Sequence, residues 1–144
     1  MQNIKTLADL IAEVESSNNQ YAVRFEPAYH PDPAHVRTMA QECGVSFMTA
    51  ETLCAMSFGL FQIMGDELVS LGLRISPIQL CCMPQTQENY FNAYCERAKI
   101  NFSLQDVISD ETKRMQFARA YNGPGNPEAY ATRMLNVYQG GANG

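Results

Sequence analysis

Short apolar stripes at helical spacing follow one another along this sequence, and residues that typically cap or end helices lie between them. The first stripe follows the capping-box pair Thr6 and Asp9 and consists of Leu7, Leu10, Ile11 and Val14. The longest stripe extends from about Thr86 to Ile100. This pattern predicts a mainly α fold, a compact bundle of short helices that forms one domain over residues 1–144.

Capping residues indicate where several further helices begin. We predict helix starts at Asp66, at Ser76-Pro77, at Ser103 with Asp106, at Asp110 and at Asn126-Pro127. Ser57 is predicted to cap a helix that carries Leu60, Phe61, Ile63 and Met64. Only residues 22–27 alternate between apolar and polar side chains, which indicates at most a small β-ribbon there. The glycine-rich tail Gly140–Gly144 is predicted to fray.

The charge balance restricts the classes of partner. The chain has 144 residues, 17% of them charged, and a net charge of −5. Nucleic-acid-binding surfaces depend on basic patches, so we expect no nucleic-acid partner, and only a local basic cleft stays open. No stretch approaches the ~18 apolar residues of a membrane span, and the N-terminus lacks the pattern of a signal peptide. We therefore expect a monomer that is made in the cytoplasm and does not insert stably into a membrane.

Five cysteines are present, an odd number with no CxxC spacing. Cys81 and Cys82 are adjacent, and the only histidines are His30 and His35. The cysteines are therefore predicted to be free, mostly buried thiols in a reducing compartment. A structural zinc site is not expected, and the two histidines are predicted to be exposed.

Glu15 is the carboxylate with the most informative position. It follows Ile11 by four residues, so it lies at the edge of the apolar face near the end of the first predicted helix. Partial burial raises the pKa of a carboxyl, and a carboxyl with a raised pKa can act as a general acid. Taken alone, however, a helical glutamate is more often a solvated surface residue.

Three short motifs occur in a specific order and together resemble a known group of enzymes. They are Glu15-Ser16, Ser57-Phe58-Gly59-Leu60-Phe61-Gln62-Ile63 and Ala120-Tyr121-Asn122-Gly123. In this order they resemble the signatures of the lysozyme-like lytic transglycosylases and goose-type lysozymes. The runs around Glu15, Arg24-Phe25-Glu26 and Ser57 are more similar still to small phage muramidases and endolysins. The resemblance covers about Leu7 to Tyr138.

The resemblance implies a lysozyme-like fold and an enzyme that cleaves peptidoglycan glycan strands. The bond cleaved would be the β-1,4 bond between N-acetylmuramic acid and N-acetylglucosamine, without metal or cofactor. It also implies a role in phage-type lysis. The protein would be made in the host cytoplasm and reach the wall in the periplasm after holin-type release. A virion-associated or secretion-system enzyme that opens the wall is the alternative.

The resemblance also assigns roles to individual residues. Glu15 matches the catalytic acid, Gln62 the glutamine that contacts bound sugar, and Tyr121 with Asn122 the pair beside the acid. Ser16 would make a hydrogen bond at the substrate cleft or merely at the helix end. Gly59 would let the backbone approach the saccharide, and Ser57 would bind an N-acetyl group or only cap its helix.

The sequence leaves open which residue, if any, is the second catalytic carboxylate. An inverting hydrolase needs one at ~6.5–9.5 Å from the acid to activate water, and Glu26 or Asp66 could serve. A lytic transglycosylase needs neither, because the C6 hydroxyl of the substrate attacks and leaves a 1,6-anhydro product. Arg24 could instead hold Glu26 in a structural ion pair. The sequence-based preference is the transglycosylase, and a non-catalytic peptidoglycan-binding module is the alternative from another class.

Overall fold

A computed structural model of the protein describes residues 3–140, so the predicted fraying of residues 141–144 lies outside the described part. Within residues 3–140 the chain forms nine helices and three short strands. The helices are α1 Leu7–Ser16, α2 Pro33–Cys43, α3 Phe47–Cys54, α4 Gly65–Ser70, α5 Pro77–Leu80, α6 Pro84–Arg97, α7 Leu104–Ser109, α8 Glu111–Asn122 and α9 Pro127–Tyr138. The strands are β1 Val23–Phe25, β2 Met56–Phe58 and β3 Ile63–Met64. The predicted mainly α, lysozyme-like fold class is therefore confirmed.

Local capping chemistry accounts for most helix starts. Both predicted capping boxes form, at Thr6 with Asp9 and at Ser103 with Asp106. The side chains of Ser76, Asp110 and Asn126 cap α5, α8 and α9 as predicted. These interactions involve residues two or three positions apart, which explains why they could be predicted from the sequence.

The helix predicted to begin at Ser57 is wrong. Ser57 lies in β2, where it pairs with Arg24 of β1 and Met64 of β3 in an antiparallel sheet of order β1-β2-β3. The turn between β2 and β3 contains Gly59 and Gln62 in the left-handed region, with φ of +76° and +50°. The predicted ribbon at residues 22–27 is thus the first strand of a three-stranded sheet.

The hairpin satisfies the same apolar pattern that suggested a helix. Phe58, Phe61 and Ile63 all point into the main core, with at most 5% of their surface exposed. Over so short a run, the apolar pattern of a strand–turn–strand segment cannot be distinguished from the pattern of one buried helix face.

Helix α1 lies against the main core along its whole apolar face. Leu10, Ile11 and Val14 are fully buried, and burial of each such side chain stabilises the fold by about 1.5–3 kcal/mol. The helix packs against α9, and its C-terminal end meets the β2–β3 turn. A smaller core cluster joins α2, α3 and α4. The C-terminal turn of α1, which carries Glu15, is therefore firmly positioned.

Among residues 3–140, none of the helices combines the length and apolar character that crossing a membrane requires. The five cysteines all lie in this range and carry free thiols. Three of them, Cys54, Cys81 and Cys95, are buried, so the prediction of mostly buried free thiols is confirmed.

Candidate active site

Glu15 lies in the last turn of α1, with a half-buried side chain. Burial raises the pKa of its carboxyl above the ordinary value of 4.5. The hydrogen bond from Tyr130 and the charges of Arg133 and Arg24 oppose this increase without cancelling it. The Tyr130 hydroxyl donates to Oε1 of Glu15 at 2.6 Å. A carboxyl with a raised pKa and one oxygen held in place is suited to deliver a proton.

A cleft of about 450 Å³ opens beside this carboxyl. Its lining residues come from the end of α1, the three strands, the loop after β1, the β2–β3 turn and the end of α8. They are Glu15, Arg24, Glu26, Ala28, Tyr29, Ser57, Gln62, Met64, Tyr121 and Asn122. Six of the eight residues predicted for the site are thus brought together, although their positions in the chain range from 15 to 122.

The sheet supplies one side of the cleft. Arg24, Ser57 and Met64 are directly opposite one another across the three strands, so they share one face of the sheet. All three line the cleft. The other face carries Phe58 and Ile63 into the core. The alternation of a β-strand therefore presents two polar side chains and Met64 to the cleft, and two apolar side chains to the interior.

Gln62 is held in the cleft by its own hydrogen bonds. Its Oε1 accepts from the Ser57 hydroxyl at 2.7 Å. Its Nε2 donates to the carbonyl oxygens of Gly59 and Ala22, at 2.9 and 3.1 Å. Ser57 is only 2% exposed, so in the structure it orients Gln62 and does not cap a helix. The predicted role of Ser57 as a helix cap is therefore wrong.

Tyr121 and Asn122 close the opposite side of the cleft at the C-terminal end of α8. The Tyr121 hydroxyl donates to the Phe61 carbonyl oxygen at 2.6 Å, and its ring stacks on Phe117 at 5.3 Å. Burial, with the nearby Tyr130 and Glu15, raises the pKa of Tyr121 well above its ordinary value. Tyr121 is therefore a neutral donor beside the acid, and Asn122 is exposed at the rim.

Ser16 and Gly59 are not among the cleft-lining residues of the described chain. The Ser16 hydroxyl oxygen lies 2.9 Å from the carbonyl oxygens of Ala12 and Leu60, so it joins the end of α1 to the β2–β3 turn. A Cβ atom on Gly59 would lie 2.2 Å from Oε1 of Gln87. The close approach that Gly59 allows is therefore an approach of Gln87, and the predicted contacts of Ser16 and Gly59 with saccharide stay predictions.

Glu26 lies in the cleft and is also paired. Arg24 Nε is 2.5 Å from Glu26 Oε1, which confirms the predicted ion pair. The Glu26 side chain keeps 36% of its surface exposed, and that of Arg24 keeps 71%. Within the described chain, Glu15 and Glu26 are the carboxylates that line the cleft.

Asp66, the other candidate second carboxylate, lies outside the cleft lining and is 7% exposed. It accepts hydrogen bonds from the Tyr29 hydroxyl at 2.7 Å and from the Asp32 backbone N–H at 3.1 Å. The Nδ1 atom of His35 lies 2.8 Å from its Oδ1. His35 is half-buried, so its predicted exposure is wrong, whereas His30 is exposed as predicted. Asp66 thus fixes the segment that carries Tyr29 into the cleft.

Sequence reasoning missed Tyr130 and Tyr29 as site residues. Tyr130 is at helical spacing in α9 and was interpretable only as core, because nothing local in the sequence relates it to Glu15. Tyr29 lies in a proline-rich turn segment without regular spacing.

A larger groove of about 910 Å³ between the start of α1 and the second half of α6 contains none of the predicted site residues.

A small antiparallel sheet and a helical subdomain on either side of a cleft, with a protonatable glutamate between them, define the class of lysozyme-like glycosidases. The profile of the N-acetylmuramidase family matches residues 12–141, and the chain belongs to this family. It is therefore an enzyme that cleaves peptidoglycan.

One curated relative supports the same conclusion. The chain is 30% identical to the endolysin of Enterobacteria phage PRD1, in an alignment that covers 93% of this chain and 95% of that protein. No solved structure matches the chain.

Proposed function

We propose that this protein hydrolyses the β-1,4 bond between N-acetylmuramic acid and N-acetylglucosamine, with Glu15 as general acid and Glu26 as the second carboxylate. The observation that carries this proposal is that the half-buried Glu15, with its raised pKa, and the half-exposed Glu26 line one cleft. Two carboxyl groups in different environments are the arrangement that glycoside hydrolysis uses.

In the proposed reaction, Glu15 transfers its proton to the glycosidic oxygen as that bond breaks. Glu26 accepts a proton from the attacking water, whose oxygen forms the new bond to the anomeric carbon. One water is added across the glycosidic bond, and both carboxyl groups then exchange protons with solvent. General acid–base catalysis of this kind typically raises the rate by about 10²–10⁴-fold.

Substrate contacts are proposed for residues around the acid. Gln62 offers the remaining lone pair of its amide oxygen, since its N–H groups donate to Gly59 and Ala22, and Asn122 offers its amide group on the other side of the cleft. Tyr121 presents an aromatic ring. Amide groups suit the hydroxyl and N-acetyl groups of the glycan, and an aromatic ring suits the apolar face of a sugar. Ser16, Ser57 and Gly59 contribute by holding the segments that carry these groups.

A lytic transglycosylase is the second candidate function. The ion pair of Glu26 with Arg24 favours it, because Arg24 Nε already occupies Oε1 of Glu26 and that oxygen would have to leave the pair to contact a water. In that reaction Glu15 acts first as acid and then as base. The C6 hydroxyl of the muramic acid attacks its own anomeric carbon and forms a 1,6-anhydro product.

The biological role proposed is host lysis. The name of the phage PRD1 relative, endolysin, supports this role. The protein would be made in the host cytoplasm, pass a membrane permeabilised by a holin and act on the wall as a monomer.

A peptidoglycan-binding module is the alternative from another class. The raised pKa of Glu15 speaks against this alternative, because a protein that only binds gains nothing from a protonated carboxyl in its cleft.

Mass spectrometry of a digest of purified peptidoglycan tests both the activity and its type. Products with reducing ends support the hydrolase, and products lighter by one water, with anhydromuramic ends, support the transglycosylase. Loss of turbidity establishes cleavage. Binding without any clearing by the wild-type protein would contradict the enzyme and favour the module.

A further inference from the structure

Gln87, near the start of α6, is a polar side chain that is only 3% exposed. Its Oε1 accepts a hydrogen bond from the Leu60 backbone N–H at 2.8 Å. Its Nε2 group is shared among three carbonyl oxygens, those of Leu80 at 3.0 Å, Cys81 at 3.2 Å and Gln20 at 3.3 Å. A buried amide with every polar atom bonded holds its neighbours in one arrangement.

Two of the four hydrogen-bond partners of Gln87, Leu60 and Gln20, belong to segments that carry cleft residues, and the other two lie at the end of α5. Leu60 lies in the β2–β3 turn, two residues before Gln62. Gln20 precedes β1, which carries Arg24. Gln87 itself does not line the cleft among the described residues. It therefore joins the turn and the approach to β1 to the end of α5 from behind the cleft.

The peptide units on either side of Leu60 also connect Gln87 to the helix that carries the acid. The Leu60 N–H donates to Gln87, and the Leu60 carbonyl oxygen accepts from the hydroxyl of Ser16, the residue after Glu15. The space for this arrangement exists because residue 59 has no Cβ, whose position would be 2.2 Å from Oε1 of Gln87. The glycine and the glutamine thus fit each other.

We propose that Gln87 is a positioning residue for glycan binding: its carboxamide sets the β2–β3 turn, and with it Gln62, relative to the end of α1. This inference rests on the proposed function, because it takes Gln62 as a group that contacts sugar. Gln87 touches neither substrate nor Glu15. Its loss therefore weakens substrate binding more than it slows the chemical step.

The test compares three variants of the full chain on soluble peptidoglycan glycan fragments of defined length. Gln87→Met keeps the length of the side chain and removes both its donor and its acceptor. Gln87→Glu keeps an acceptor for Leu60 and regains a donor only when the introduced carboxyl is protonated. Arg114→Met is the matched control, because the buried Arg114 donates to the carbonyl oxygens of Val107 and Ile108 at the end of α7, and it does not line the cleft.

We expect Gln87→Met to raise KM by about tenfold or more with a smaller change in kcat, since small displacements of binding groups have effects of this size. Glycan affinity measured by calorimetry in the Glu15→Gln background should fall by a similar factor. Arg114→Met should lower the melting temperature while KM stays within about twofold of the wild-type value. In the Glu15→Gln background, Gln87→Glu should bind glycan more tightly as the pH falls, relative to Glu15→Gln alone.

A folded Gln87→Met protein with wild-type KM and glycan affinity would overturn the proposal and leave Gln87 a purely structural residue. If Gln87→Met does not fold, Gln87→Glu decides: pH-independent affinity equal to that of its background overturns the proposal, and recovery at low pH supports it. Failure of the proposed function has a different signature. In that case the wild type does not cleave, or Gln62→Ala leaves glycan affinity unchanged in the Glu15→Gln background.

Discussion

The hydroxyl group of Tyr130 donates a 2.6 Å hydrogen bond to Oε1 of Glu15, although the two residues are 115 positions apart in the sequence. This bond orients the carboxyl and leaves Oε2 as the oxygen that can carry a transferable proton. It also stabilises the charged form of Glu15 and so opposes the increase in pKa that burial causes. Tyr130 thus sets both the geometry and the acidity of the proposed acid.

Removal of the Tyr130 hydroxyl should raise the pKa of Glu15 further. In Tyr130→Phe, burial acts without the hydrogen bond that stabilises the carboxylate. The alkaline limb of the kcat/KM profile should therefore move to higher pH, and the maximal rate should fall by about tenfold because the carboxyl is less well oriented. A pH–rate series measures both effects. A limb that moves to lower pH would contradict this account of Glu15.

Glu15→Gln should lower the rate of peptidoglycan cleavage by at least ~10²-fold, because the amide cannot donate the proton that the leaving oxygen needs. The fold should be retained, since the side chains have nearly the same volume. Turbidity assays measure the rate, and circular dichroism checks the fold. Glu13→Gln, on the same helix and outside the cleft lining, is the matched control. Wild-type activity in Glu15→Gln would refute the assignment of the acid.

The raised pKa of Glu15 has a consequence for stability. The folded state favours the protonated carboxyl, so this contribution is fully present below the ordinary pKa of 4.5. It is lost as the pH rises through the raised value. Glu15→Gln removes this dependence, so its free energy of unfolding relative to wild type should increase between pH 4 and pH 7. Urea unfolding at both pH values measures the difference, and a decrease would contradict the sign of the shift.

Glu26→Gln separates the two proposed reactions. If Glu26 activates water, the variant should lose at least ~10²-fold in rate while it remains folded. Near-normal activity together with anhydromuramic products would favour the transglycosylase. Glu67→Gln is a suitable control, because Glu67 also pairs with an arginine, Arg97, but lies outside the cleft lining.

Asp66→Asn should destabilise the protein by about 1–3 kcal/mol, the usual cost of disturbing a buried hydrogen-bonded carboxylate. Asp66 accepts from Tyr29 and Asp32 and contacts His35, and an amide can satisfy these donors only in part. Since Asp66 does not line the cleft, the type of product should stay unchanged. Urea unfolding and product analysis measure the two effects. A normal fold with abolished cleavage would instead implicate Asp66 in the chemistry.

Helix ends and the position of Glu15 on α1 could be predicted because their causes are local. The capping boxes at Thr6 and Ser103 depend on residues three positions apart, and the burial of Glu15 follows from its phase relative to Ile11. The turn at Gly59 could not be predicted in the same way. The Gly59 N–H donates to the Ala22 carbonyl oxygen and the N–H of the next residue, Leu60, donates to Gln87, and both acceptors are distant in sequence.

Local sequence patterns are enough to predict the mainly helical fold class, and the three motifs identify Glu15 as the candidate acid of a peptidoglycan-cleaving enzyme. How these parts meet depends on contacts between segments that are distant in the chain. In the fold, residues Ser57–Met64 form a hairpin, and the Tyr130 hydroxyl donates to Glu15. Glu26 lines the cleft, whereas Asp66 lies outside its lining. A helix face or a cap is set by neighbours in the chain, whereas hydrogen bonds and burial across the fold depend on packing among distant segments.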